Sequence, residues 1–214
     1  MHKFNVAGPT CGRPRTFTRE TAILAAARLF WRHGYSGTST RALTAALGLS
    51  TSSLYAAFGS KAGLFEAAVR TYAERYHTIY QEAVAQKDIR AVIESLLTHS
   101  VYEFTQPSES HPGCIISSAV MTNSTETLNT QIYIKELQNL DERMLLTRIQ
   151  RADREGQLRS GATPSALARL VQCVWQGLSA SANQGGDREA LLTTARLAHE
   201  LVCLRLRSPR PTST

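Results

Sequence analysis

The stretch from Thr38 to Lys61, TSTRALTAALGLSTSSLYAAFGSK, limits what this chain can fold into more than any other part of it. It holds two short helical patterns separated by Gly48 and a few residues, the spacing of a helix-turn-helix. In the first pattern Leu43, Ala46 and Leu47 share a face, and Gly48 stands where a left-handed residue stops the helix. Ser50 occupies the N-cap position of the second pattern, and Leu54 and Phe58 lie four apart on its inward side. Thr51, Ser53, Ala56 and Ala57 are left facing outward. Small, uncharged side chains on an exposed helix let it sit deep in a DNA major groove.

The charge distribution supports a nucleic-acid partner. The 214-residue chain carries a net charge of +7, and residues 1 to 65 hold eight basic residues against one acid, Glu20. The other 16 basic and 16 acidic side chains balance over residues 66 to 214, so only the first part is suited to a polyanion. Cys11, Cys114, Cys173 and Cys203 form no CxxC, which argues against a disulfide framework or a zinc site and for a reducing compartment. No apolar run approaches the roughly 18 residues of a membrane span. The six histidines show no ligand spacing, and no Walker loop, GxSxG elbow or Rossmann glycine pattern is present. Enzymatic activity, a cofactor, a metal and a membrane anchor are therefore not expected.

Along the chain, periodicity predicts an all-α protein of about nine helices. Residues 1–16 read as a flexible basic arm, 17–62 as a helix-turn-helix domain, 63–207 as a second helical domain and 208–214 as a tail. Within the arm, Arg13 and Arg15 are placed to reach phosphates or an adjacent minor groove. The first helix is expected from Thr18 as N-cap to His33, ended by Gly34, with Ile23, Ala27 and Phe30 facing the core. Ser60 caps a helix expected to reach about Gln86, long enough to join the two domains as a lever. Further helices are expected over 89–105, 114–121, 126–155, 163–183 and 188–206. In the third of these, a stripe of Leu128, Ile132, Leu137, Leu140, Met144 and Ile149 recurs at spacings of three to five, and Thr163-Pro164 is a strong start signal for the next. The last two carry apolar residues on more than one side, with small residues at Gly177, Ala180, Ser181 and Ala182, as a face shared with a second copy requires.

Gly34-Tyr35, Thr38-Ser39-Thr40, Ala46-Leu47-Gly48-Leu49-Ser50, Leu54-Tyr55, Phe58, Ser60-Lys61 and Leu64-Phe65, at these spacings, resemble the DNA-binding domain of the TetR family of bacterial transcriptional regulators. The resemblance covers about the first third of the chain and implies a cytoplasmic, nucleoid-associated homodimer. Such a dimer pairs through the last two helices and binds a palindromic operator, as a repressor more often than not. It implies DNA contacts from Thr40, Arg41, Ser50, Thr51, Ser53, Tyr55 and Lys61. In the resembled family an acidic residue often stands where this chain has Gly63, so the cap at Ser60 is expected to be weaker. Ala56 and Ala57 replace larger residues and offer only apolar contact, which leaves open an architectural protein that coats DNA through charge. Tyr72, Tyr76, Tyr102, Cys114, Met121, Gln172 and Trp175 are candidates to hold a small apolar effector, although such residues at helical spacing also describe plain core. Cys114, after a glycine at a helix start, reads either as a reactive thiol or as a small buried hydrophobe.

Overall fold

Thr18 begins the first helix with a reciprocal cap, its hydroxyl accepting from Thr21 N–H at 3.2 Å while Thr21 returns a bond to the Thr18 backbone. The computed structural model describes residues 18–106, 114–116 and 124–207. Among them are eight α-helices: α1 (Arg19–Gly37), α2 (Thr40–Leu47), α3 (Thr51–Phe58), α4 (Lys61–Val84), α5 (Ile89–Phe104), α6 (Leu128–Arg154), α7 (Pro164–Asn183) and α8 (Arg188–Cys203). A 3-10 turn, Thr125–Thr127, leads into α6. The expected segment 114–121 is described only at 114–116, where Ile115 and Ile116 are helical. The arm with Arg13 and Arg15, and the tail at 208–214, lie outside the described residues.

Gly34 ends the first helical run of α1 with non-helical backbone, as expected. Its φ of 66° lies in the left-handed region, and one further turn carries Tyr35 inward before the chain leaves at Thr38. The carbonyls freed there find local donors. The Thr38 hydroxyl donates to the carbonyls of Gly34 (2.7 Å) and Leu29 (3.2 Å), and the Lys61 ammonium donates to those of Tyr35 and Thr38, both at 3.1 Å. Ser39, Ser50 and Ser60 then cap α2, α3 and α4. Leu43, Leu54 and Phe58 close the small domain against Ile23, Ala27, Phe30 and Phe65. Ala46, expected beside Leu43, is exposed, because α2 meets the core through Leu43 and the partly buried Leu47 instead.

Gly63 sits in the first turn of α4, where the Ser60 hydroxyl accepts its N–H at 3.0 Å. A Cβ built there would lie 2.1 Å from the Phe58 carbonyl oxygen, so the tight α3–α4 turn requires glycine. Gly63→Ala is expected to lower unfolding stability by about 1–3 kcal/mol through this overlap, measured by urea denaturation.

α4 runs unbroken from the small domain into the larger one, about 36 Å at 1.5 Å per residue. α6 lies beside it in the same direction. Three links keep a near-constant register: the Arg70 guanidinium over the Tyr133 ring at 3.8 Å, His77 Nδ1 to Asp141 Oδ1 at 2.6 Å, and Arg148 Nε to the Gln86 carbonyl at 3.2 Å. Burial raises the Asp141 carboxyl above its usual range, while the His77 bond pulls it back. α5 is the buried centre of the second domain, with Val92, Ile93, Leu96, Leu97 and Val101 enclosed between α4, α7 and α8.

Two expectations need correction. Leu128, Ile132 and Leu140 are exposed, because α6 turns Ile134, Leu145, Ile149 and Ala152 inward instead. In addition, α8 stops at Cys203, since Leu206 leaves the helix to form an antiparallel bridge with Leu158. The start of α7 is as read, with Thr163 at the N-cap position and Pro164 first in the helix, although the Thr163 side chain makes no capping bond.

Candidate nucleic-acid interface

Glycine and serine chemistry at the two short turns determines which side of α3 meets solvent. Gly48 adopts the left-handed conformation (φ 65°, ψ 31°), and Ser50 then accepts from Ser53 N–H at 3.1 Å. With Leu54 and Phe58 buried, Thr51, Ser52, Ser53, Tyr55, Ala56 and Ala57 are all exposed. The Ser50 hydroxyl is shared with those of Ser53 (2.8 Å) and Ser52 (3.0 Å), so the start of α3 presents a cluster of hydroxyls. Arg41 projects from α2 into solvent nearby in sequence.

Three of the expected contact residues, Thr40, Tyr55 and Lys61, converge on one open cavity of about 510 Å³ with Gly59, Ser60 and Ala62. Tyr55 is 43% exposed there. Lys61 occupies the first position of α4. Its ammonium turns toward the C-terminal end of α1, where a cation is favoured, and lies 4.1 Å from the centroid of the Tyr35 ring. Two of its three N–H groups are taken by the Tyr35 and Thr38 carbonyls.

Two residues at this junction escaped sequence reasoning. Glu126, from the turn before α6, lines the same cavity and accepts a hydrogen bond from the Tyr35 hydroxyl. Tyr35 is 2% exposed, and burial followed by this carboxylate pushes its phenol well above the ordinary tyrosine value. Asn183, at the end of α7, accepts from the Cys114 backbone N–H at 2.7 Å and from Trp31 Nε1 at 3.4 Å, which ties the second domain to α1. Both contacts join positions far apart in sequence, and no local pattern marks them.

The expected effector residues divide. Tyr76, Tyr80, Phe104 and Trp175 form a cluster of rings, with Trp175 edge-on to Phe104 at 5.4 Å and to Tyr76 at 6.0 Å. The Tyr80 hydroxyl donates to Gln172 Oε1 at 2.6 Å. Tyr72 is buried against Trp31 and so braces α1 on α4. Cys114 is fully buried beside Tyr76, which fits the small-hydrophobe reading. The Tyr76 hydroxyl is enclosed without a hydrogen-bond partner among the described residues; burial, then the Cys114 thiol, pushes its pKa well up. Tyr102 does not belong to the set. It is 48% exposed with Arg188 over its ring, because the inward face of α5 belongs to Val101 and Phe104. Met121 lies outside the described residues.

An exposed helix capped by serine, joined by a short turn to a helix of equal length and lying beside a cavity with a lysine at its wall, defines a helix-turn-helix DNA-binding protein. Comparison with known proteins narrows the class. Residues 22–68 match the family model described as bacterial regulatory proteins, tetR family. The HTH-type transcriptional repressors ComR and BdcR of Escherichia coli (strain K12) are each 30% identical to this chain. ComR aligns over 89% of this chain and 93% of its own length, BdcR over 89% and 92%. A solved cysteine mutant of the TetR family transcriptional regulator CifR, complexed with 26-bp double-strand operator DNA, is 32% identical with a TM-score of 0.75. That match covers 88% of this chain and 98% of the CifR chain. This chain belongs to the TetR family of bacterial transcriptional regulators. Among the described residues no helix is long and apolar enough to cross a membrane, and no group of three or more His, Cys, Asp or Glu residues could hold a metal.

Proposed function

We propose that this protein is a homodimeric transcriptional repressor that binds an inverted-repeat operator and is modulated by a small apolar effector. The convergence of Thr40, Tyr55 and Lys61 on one solvent-open cavity beside α3 carries the reading. Two hydroxyls and an ammonium around a concave surface suit a backbone phosphate, and fixing that phosphate orients α3 in the major groove. Arg41, Ser50, Thr51 and Ser53 extend the polar surface along the same helices, and Arg13 and Arg15 of the arm would add phosphate or minor-groove contacts. With Ala56 and Ala57 exposed, readout at those positions is limited to apolar contact such as a thymine methyl, so DNA shape contributes to specificity.

The dimer reading rests on α7 and α8. Leu170 on α7, Leu197 and Leu201 on α8 and Leu204 just after it are 46 to 67% exposed. Cys173, Gly177 and Ala180 are also exposed, and nothing lies within 4 Å of a Cβ placed on Gly177. A second copy packing there would form a four-helix bundle. Ala182, included among the small residues suited to close approach, instead faces its own core. An effector near the ring cluster would meet mostly apolar surface and the unpartnered Tyr76 hydroxyl, with Gln172 at its margin. By displacing α4 it would change the separation of the two α3 helices, and its effect is bounded by its differential affinity for the two shapes.

The test is binding of the purified protein to sheared genomic DNA of its own organism at near-physiological salt, beside a Thr40→Val, Tyr55→Phe double variant. The expected outcome is a few sharp peaks sharing an inverted repeat, with operator affinity reduced about tenfold or more in the variant and thermal stability unchanged. Diffuse coverage that fades uniformly with salt would instead establish a charge-driven architectural protein.

A further inference from the structure

The cavity that gathers Thr40, Tyr55 and Lys61 is walled on one side by a carboxylate. Glu126 reaches it from the turn before α6, in the second domain, and is itself exposed. Tyr35 holds both sides of the arrangement. Its carbonyl and ring engage Lys61, and its hydroxyl donates to Glu126. A negative charge at the wall of a cavity suited to phosphate opposes the function of every other group there. If the only need were to seat the small domain on the large one, a neutral acceptor would satisfy the Tyr35 hydroxyl equally well.

We propose that Glu126 is the residue through which the second domain sets the affinity of this cradle for DNA. Tyr35 fixes the Glu126 carboxylate beside the phosphate position, where its charge weakens DNA binding. Because Glu126 belongs to the turn that starts α6, any rearrangement of the second domain that moves this turn alters the charge the phosphate meets. The proposal rests on the DNA-binding reading above and adds its regulation.

The size of the effect follows from Coulomb's law. Two unit charges about 7 Å apart in water interact by roughly RT, a factor of about three per subunit and about seven for a dimer. Salt screens such an exposed pair, with a Debye length falling from about 14 Å at 0.05 M to about 6 Å at 0.3 M.

Glu126→Gln tests this, because glutamine keeps an acceptor for the Tyr35 hydroxyl and removes the charge. The probe is a fluorescently labelled random-sequence duplex of about 30 base pairs, titrated by anisotropy between about 50 and 300 mM KCl. The variant is expected to bind about threefold tighter than wild type at the lowest salt and to approach it at the highest. Its plot of log K against log salt should be correspondingly steeper. Glu126→Ala serves as the second variant. If Gln and Ala both weaken binding at every salt concentration, Glu126 is only a brace and the proposal fails. It fails equally if Gln matches a tightly binding wild type throughout. A wild-type protein with no affinity for any duplex would instead remove the DNA-binding reading itself, and this regulation with it.

Discussion

A Leu197→Glu, Leu201→Glu variant is expected to sediment as a monomer and to lose at least about 100-fold of its operator affinity. Each leucine is 56% exposed, one helical turn from the other on the outer face of α8. In the proposed bundle both would be covered by the partner's α7 and α8. Each glutamate would then place a charge in an apolar interface beside its symmetry mate, which costs far more than the leucine contacts contributed. Operator binding depends on this because one module holds one half-site. Joined in a dimer, the second module binds at an effective concentration in the millimolar range, and separation forfeits avidity of 10²–10⁴. Both substitutions are on the surface, so helix content and melting temperature should stay close to wild type. Sedimentation velocity together with operator titration makes the check, and a variant that remains dimeric would place the subunit contact elsewhere.

The parts of this fold that were legible in the sequence are those fixed by signals within about one helical turn. Leu54 and Phe58 four residues apart, Gly48 as a left-handed stop, and serine caps at 50 and 60 each have a local cause, and the structure uses them as read. The same rule explains the misses. Tyr102 was grouped with the other aromatics by residue type, whereas its position one residue after Val101 turns it about 100° away from the buried face of α5. Ala46 and the Leu128–Ile132–Leu140 stripe have suitable spacing, but nothing in a local pattern says whether a neighbouring helix arrives to cover it. Gly34 shows the limit from the other side. A glycine breaks the helix as expected, yet the extra turn beyond it persists because Thr38 and Lys61 satisfy the freed carbonyls from up to 26 residues away. The candidate site divides likewise: its hydroxyls and lysine were visible in the recognition stretch, whereas Glu126 meets Tyr35 across 91 residues and leaves no trace in either segment.

Trp175→Ala is expected to destabilise the protein by about 3–5 kcal/mol, the range for emptying a buried tryptophan site. The indole is 4% exposed and lies among Tyr76, Tyr80 and Phe104, with ring centroids 5.4 to 6.1 Å away. It joins three helices, since Tyr76 and Tyr80 belong to α4 and Phe104 to α5. Alanine would remove the edge-to-face contacts as well as the buried area. It would also remove the donor to the Ser100 hydroxyl, now 2.7 Å from Nε1, in a part of α5 with no exposure to water. Trp175→Phe separates these contributions: most of the ring packing survives, and the remaining loss reports the smaller ring together with the Ser100 bond, about 1–3 kcal/mol. Urea unfolding followed by far-ultraviolet circular dichroism makes the check without depending on the tryptophan signal that the substitution removes. An alanine variant losing less than about 1 kcal/mol would mean that the cluster collapses without penalty, and that these rings stand around adaptable space instead of forming a fixed core. Such adaptability is what an effector site between α4, α5 and α7 requires, so the stability of this variant bears directly on where the second domain has room for a ligand.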